Sequence, residues 1–98
     1  MAYMIRAAFL KVVSNNEIHV ANKETLAAMN HYSVTDKDLL NYMKYLQIEE
    51  IQLVPGDHVR FTIYPIHHGH QLRIVISAKG YYKSNNIQFW VMSVRSLS

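Results

Sequence analysis

The chain has 98 residues, of which ten are Lys or Arg, seven are Asp or Glu, six are His and none is Cys. Half of the residues are apolar, and a chain of this length supports one hydrophobic core, so we expect a single domain over residues 1–98. The lack of Cys excludes disulfide frameworks, zinc knuckles and thiol nucleophiles. No apolar run has the ~18 residues of a membrane-spanning helix, and we therefore expect a cytoplasmic protein without membrane association.

The first stretch of the chain has the composition of two β-strands. The run from Tyr3 to Val13 is rich in Ile, Phe and Val, which favour strands. Ser14-Asn15-Asn16 follows this run, and Asn tolerates the left-handed backbone that tight turns require. We therefore predict a hairpin whose second strand covers Glu17 to Val20.

Two helices are predicted in the middle of the chain. Asn22 can cap a short helix from Lys23 to Asn30. Thr35 can cap a second helix, because its hydroxyl can accept a hydrogen bond from the amides of the first turn. An apolar stripe at helical spacing follows this cap and consists of Leu39, Leu40, Met43 and Leu46.

The hydrophobic period returns to two after the second helix. We predict a strand from Ile48 to Val54, a turn at Pro55-Gly56 and a two-residue hairpin turn at His68-Gly69. The hairpin turn defines a register whose apolar side pairs Val59 with Ala78, Phe61 with Ile76, Ile63 with Ile74 and Pro65 with Leu72. The other side of the same ribbon pairs Arg60 with Ser77, Thr62 with Val75 and Tyr64 with Arg73.

A last hairpin is expected at Ser84-Asn85-Asn86, between the runs 71–83 and 87–95. Extending the register across this hairpin pairs Lys79 with Trp90, Tyr81 with Gln88 and Ser77 with Met92. The predicted fold is therefore α+β, with an antiparallel β-sheet in ββααββββ order and two short helices packed on one face. A partly closed barrel is the alternative architecture.

Charge is unevenly distributed along the chain. From His58 to Ser98 there are five cations and no carboxylate. The register gathers basic and aromatic residues on one outer face, whose candidate site residues are Arg60, Tyr64, Arg73, Lys79, Tyr81, Trp90 and Met92, with Val75 and Val94 beside them. Lys and Arg neutralise phosphate while flat rings stack on bases. We therefore predict a non-catalytic binding module for an acidic macromolecular partner, with single-stranded nucleic acid or RNA favoured.

Two other interpretations of this face stay open. The helices could cover it, which would place Trp90, Met92 and Val94 in the core. Alternatively, the chain is a protein–protein or self-associating module of the inhibitor or immunity type, because interfaces favour Trp, Tyr, Met and Arg. A homodimer would then bury the same three side chains at its centre.

No cofactor and no metal site are expected. His67-His68-Gly69-His70 is rich in imidazole, but adjacent His residues on a tight turn point apart, and no carboxylate or Cys lies nearby in the sequence. We therefore expect these residues to form the tip of a hairpin.

A ribonuclease is the second alternative. The run from Gly56 to Tyr64, followed by the run from Leu72 to Ile76, resembles the late strands of the small messenger-cleaving toxins of the RelE and ParE type. The resemblance implies RNA cleavage without a metal. It also implies that Arg60 or Arg73 stabilises charge at the phosphate and that Lys79, Tyr81 or a His transfers protons.

Overall fold

A computed structural model describes residues 6–7, 9–11, 18–45, 50–54, 58–79 and 88–97. The helices are α1 (residues 6–7 and 9–11), α2 (Lys23–His31) and α3 (Asp36–Tyr45). The strands are β1 (His19–Val20), β2 (Glu50–Val54), β3 (His58–Ile63), β4 (Ile66–His67), β5 (His70–Lys79) and β6 (Gln88–Ser96).

Five strands form one sheet in the order β1-β6-β5-β3-β2, and the short β4 pairs with the beginning of β5. Because β1 and β2 lie at opposite ends of this order, the described strands do not close into a barrel. The predicted α+β class is confirmed. The sheet is mixed, since β1 runs parallel to β6 while the other pairs are antiparallel.

The beginning of the chain differs from the prediction of a strand over Tyr3 to Val13. The described residues of this run, 6–7 and 9–11, are helical, so the predicted order of elements is wrong at its first position. The physical reason is the centre of the run, where Arg, Ala, Leu and Lys are strong helix formers. The predicted turn at Ser14-Asn15-Asn16 lies outside the described residues. Without a strand before it, β1 pairs with the last strand of the chain instead.

Both predicted helix caps are confirmed. The Asn22 side-chain oxygen accepts a hydrogen bond from the Thr25 amide at 2.8 Å. The Thr35 hydroxyl accepts from the Asp38 amide at 3.2 Å, and the Asp38 carboxylate in return accepts from the Thr35 amide at 2.8 Å. This reciprocal pair is a capping box, which satisfies amides that have no partner within the helix.

The predicted register between β3 and β5 is confirmed. Six residue pairs run from His58 with Lys79 to Ile63 with Ile74, and they include every pair predicted for this part of the ribbon. His68 and Gly69 have positive φ values of 49° and 82°, as a two-residue turn with the twist of a hairpin requires. A strand before this ribbon was predicted over Ile48 to Val54; β2 covers its described part, and the turn at Pro55-Gly56 lies outside the described residues.

The predicted register between β5 and β6 is wrong. Ser77 pairs with Trp90 and Lys79 pairs with Gln88, whereas the prediction placed Met92 opposite Ser77 and Trp90 opposite Lys79. The physical reason is the length of the connection: residues 80–87 separate the two strands, so a turn signal inside this segment does not determine the register. The predicted hairpin at Ser84-Asn85-Asn86 lies within this segment and outside the described residues.

A β-bulge at Met92 changes which side the end of β6 presents. Val91 pairs with Ile76 and Ser93 pairs with Val75, so Met92 is the extra residue between them. The Met92 carbonyl accepts a hydrogen bond from the buried Thr25 hydroxyl of α2 at 2.8 Å. After the bulge the alternation is reversed, and Val94 belongs to the core rather than to the outer face on which it was predicted.

The described helices pack on the apolar side of the sheet. The fully buried ring of Phe9 in α1 lies edge to face against Phe61 and Phe89, at centroid distances of 6.1 and 5.1 Å. Helices α2 and α3 add Met29, Leu39 and Met43 to the same buried cluster. The other side of the β3–β5 ribbon, which carries the polar pairs, therefore faces away from this core.

The Phe9→Ala substitution tests this arrangement. We expect the free energy of unfolding to fall by about 3–5 kcal/mol, because the change leaves a cavity between two other aromatic rings. Urea denaturation followed by circular dichroism measures the loss. The control is Leu26→Ala in α2, where the side chain is 49% exposed and about 0.5 kcal/mol or less is expected. Equal losses in the two variants would contradict the packing of α1 on the sheet.

Candidate nucleic-acid interface

The sheet places the candidate site residues in two cross-strand rows. The first row runs across β3, β5, β6 and β1 and consists of Arg60, Ser77, Trp90 and His19. The second row consists of His58, Lys79 and Gln88. Neighbouring strands are ~4.8 Å apart and the two rows are ~6.8 Å apart along the strands. Arg60 and Lys79 are therefore diagonal neighbours, with backbones ~7–8 Å apart.

Five residues of these two rows line a groove of about 320 Å³. Its lining residues are Ala21, His58, Arg60, Ser77, Lys79, Trp90 and Met92. None of the described lining residues is acidic, and Arg60 and Lys79 among them are basic. The register brings Glu50 of β2 opposite Thr62, one row beyond Arg60.

Four of the predicted site residues come together in this groove: Arg60, Lys79, Trp90 and Met92. Tyr64 lines a different groove beside α3. Arg73 is on the same side of β5 as Ser77 and Lys79, but it pairs with the exposed Arg95 and does not line the groove. Tyr81 lies outside the described residues.

The structure adds residues that the sequence analysis did not select. His58 and Ser77 occupy register positions beside Lys79 and Arg60, and simple alternation along β3 and β5 could have found them. His19 has no such signal, because only the parallel pairing of β1 with β6 brings it opposite Trp90. The His19 imidazole stacks on the indole with ring centroids 4.7 Å apart and 26° between the ring planes.

The groove contains two nitrogen donors without an acceptor. The Arg60 Nε and the Trp90 Nε1 are buried, and neither has a hydrogen-bond partner among the described residues. Both side chains as a whole are half-buried, so the indole is neither fully enclosed nor fully exposed. A buried donor without a partner lowers the stability of the fold by about 1–3 kcal/mol, and a ligand that accepts a hydrogen bond from it would remove this cost.

Among the His residues of the hairpin tip, His67 has a structural role. It is 3% exposed, and its Nε2 donates to the Ser33 carbonyl at 3.1 Å while its Nδ1 accepts from the Tyr42 hydroxyl. A carbonyl can only accept, so the neutral ring carries its proton on Nε2. His67 thus ties the β4–β5 hairpin to α3 and to the turn before it. Within the described part of the chain, no group of three or more His, Asp or Glu is placed to hold a metal ion.

An apolar groove of about 600 Å³ lies between α3 and β4. Two of its lining side chains are exposed, Tyr45 by 82% and Ile66 by 71%. Neither residue is predicted from the sequence as part of a binding site, because single exposed apolar residues form no pattern.

The chain matches no protein family, no curated protein and no solved structure. The resemblance to the RelE and ParE toxins therefore has no match to support it, and RNA cleavage stays a prediction. None of the described helices has the length and apolar character needed to cross a membrane.

The Tyr42→Phe substitution tests the His67 tie. Removing the hydroxyl leaves His67 Nδ1 without a donor, and we expect the free energy of unfolding to fall by about 1–3 kcal/mol at pH 8. Burial, and then the charge of Asp38, raise the pKa of Tyr42 above its ordinary value of 10.0. The folded state therefore holds the phenol proton more tightly than the unfolded state does.

This pKa predicts how the effect depends on pH. The contribution of the Tyr42 hydroxyl is complete below pH 10 and is lost as the pH rises through the pKa of the folded state. The difference between the wild-type protein and Tyr42→Phe should thus be constant from pH 7 to 9 and become smaller above pH 10. Urea denaturation at each pH measures it, and a difference that grows above pH 10 would contradict the assignment.

Proposed function

We propose that the protein is a small module that binds single-stranded nucleic acid or RNA through the groove between Arg60, Lys79 and Trp90. The observation that carries the proposal is the composition of this groove, whose described lining residues provide an Arg, a Lys, two further nitrogen donors and an aromatic ring, with no carboxylate among them. Phosphate groups are the abundant anions of nucleic acids, and basic side chains near aromatic rings are typical of proteins that bind single strands.

The charge of the groove supports this proposal. Arg60 has no hydrogen-bond or ion-pair partner among the described residues, so no carboxylate of this part of the chain neutralises it. The formal net charge of the chain is +3, and the last 41 residues contain none of its acidic residues. Such a cation can release counterions from a phosphate chain when the two associate.

A second pair of cations extends the proposed binding surface. Arg73 and Arg95 are direct cross-strand partners, and like charges in such positions destabilise a sheet. Arg73 lies six residues from Lys79 on the same side of β5, which corresponds to ~20 Å. A single strand that follows β5 could therefore contact the groove and this pair at the same time, and its phosphates would reduce the repulsion between the two guanidinium groups.

Fluorescence anisotropy with labelled single-stranded RNA and DNA oligonucleotides tests the proposal. We expect binding at 50 mM salt that weakens linearly on a log–log plot as salt is added. Arg60→Ala and Arg73→Ala should each weaken binding and reduce the salt slope by about one, because each removes one phosphate contact.

The matched control is Lys37→Ala, which removes the same charge from the exposed surface of α3. It should leave the affinity within about twofold of the wild type, since α3 packs on the core side of the sheet and the groove is on the other side. Absence of binding to any oligonucleotide at low salt, or an equal loss in the control, would refute the proposal.

A protein partner or a second copy of the chain is the alternative. The exposed side chains of Tyr45 and Ile66 beside the apolar groove favour it, because interfaces are enriched in aromatic and large apolar residues. Sedimentation of the protein without nucleic acid distinguishes the two functions. A dimer at micromolar concentration that Ile66→Ser converts to a monomer would favour self-association, whereas a monomer leaves the basic groove as the binding surface.

A further inference from the structure

We propose that Trp90 and Arg60 form a phosphoryl-binding subsite, in which the indole N–H and the guanidinium N–H groups donate hydrogen bonds to the oxygens of one phosphate group. This inference rests on the proposed function and gives Trp90 a role different from the expected one. Trp90 acts as a hydrogen-bond donor and not as a ring on which a base stacks.

The two nitrogen donors are in the same state. Trp90 Nε1 and Arg60 Nε are both buried, both lack a partner among the described residues, and both side chains line the same groove. An indole N–H and a guanidinium can only donate. The missing partner must therefore be an acceptor, and a ligand that enters this groove can supply it once the two side chains turn their buried N–H groups toward it.

One face of the indole is already covered. The His19 imidazole is stacked on Trp90, with ring centroids 4.7 Å apart, and so covers one of its two faces. A base would have to displace this imidazole or use the opposite face of the ring. The N–H edge has no such competitor, because nothing described bonds to it.

The arrangement of the donors favours a phosphate group as the ligand. Ser77 lies between Arg60 and Trp90 in the cross-strand row and is only 2% exposed. The two donor residues thus flank the same residue, Arg60 from β3 and Trp90 from β6. A phosphate group has several acceptor oxygens and negative charge, so it can accept from both donors and is attracted by Lys79 and, when protonated, His58.

Such a phosphoryl group has two possible sources, an internal phosphodiester of a nucleic acid and the terminal phosphate of a mononucleotide. The experiment includes a separate probe for each source. Inorganic phosphate reports on the subsite alone, a nucleoside monophosphate adds a base, and a single-stranded oligonucleotide without terminal phosphate offers only diesters.

The chain has a single Trp, so a ¹⁵N-labelled sample gives one indole N–H signal in a two-dimensional NMR spectrum. We expect this signal to move downfield when the oligonucleotide is added, because a hydrogen bond to a phosphate oxygen deshields the proton. Sodium chloride at equal ionic strength is the control for general salt effects. If inorganic phosphate and the nucleoside monophosphate shift the signal but the oligonucleotide does not, the subsite binds terminal phosphates.

The Trp90→Phe substitution separates donation from stacking. Phenylalanine keeps an aromatic ring for stacking but has no N–H, and we expect the oligonucleotide to bind about tenfold more weakly to this variant. Arg60→Lys keeps the charge but loses the planar array of donors, so it should also lose affinity while Lys37→Ala does not. Far-UV circular dichroism verifies that each variant is folded.

The outcomes for the two proposals are distinct. If the oligonucleotide binds, the indole signal stays in place and Trp90→Phe binds within twofold of the wild type, the subsite is refuted and the nucleic-acid function stands. If inorganic phosphate moves the indole signal but no oligonucleotide binds, the subsite stands and the nucleic-acid function is refuted. If Trp90→Phe does not fold, the indole shift in the wild-type protein decides alone.

Discussion

The pairing of β3 with β5 is the interaction on which the rest of the structure depends. Because side chains alternate along both strands, this one register sends Phe61 and Ile76 to one side of the sheet and Arg60 and Ser77 to the other. The helices bury the first side, where the apolar cluster provides the stability of the domain. The second side is therefore free to carry charge, and a shift of one residue in this register would exchange the two sides and destroy both the core and the groove.

The bulge in β6 shifts the alternation of this strand by one residue. Before Met92 the strand presents Trp90 to the groove and Val91 to the core, and after it Val94 and not Ser93 faces the core. The bulge leaves a carbonyl out of the ladder, and the hydroxyl of Thr25 satisfies it from α2. A single side chain-to-backbone hydrogen bond therefore links the position of a helix on the core side to the geometry of the groove.

The outer side of the sheet has features that a sheet selected for stability alone would avoid. Among the described residues, two buried nitrogens of the groove lack acceptors, and further along β5 two Arg residues face each other across strands. Each of these reduces stability, because desolvated donors and adjacent like charges are unfavourable. Such departures from good packing occur at functional sites, where a ligand supplies the missing partner. The His67 tie and the capping box of α3 provide stabilising contacts on the opposite side.

The sequence by itself determined the features that depend on neighbouring residues. These are the caps at Asn22 and Thr35, the turn at His68-Gly69, and the register that this turn transmits to Arg60 and Ser77, because a short turn leaves only one pairing open. Tertiary structure alone decided the register of β6, the pairing of β1 with β6, and the stacking of His19 on Trp90. These contacts join segments that long connections separate, so their geometry depends on packing in the folded domain and no local pattern of residues encodes it.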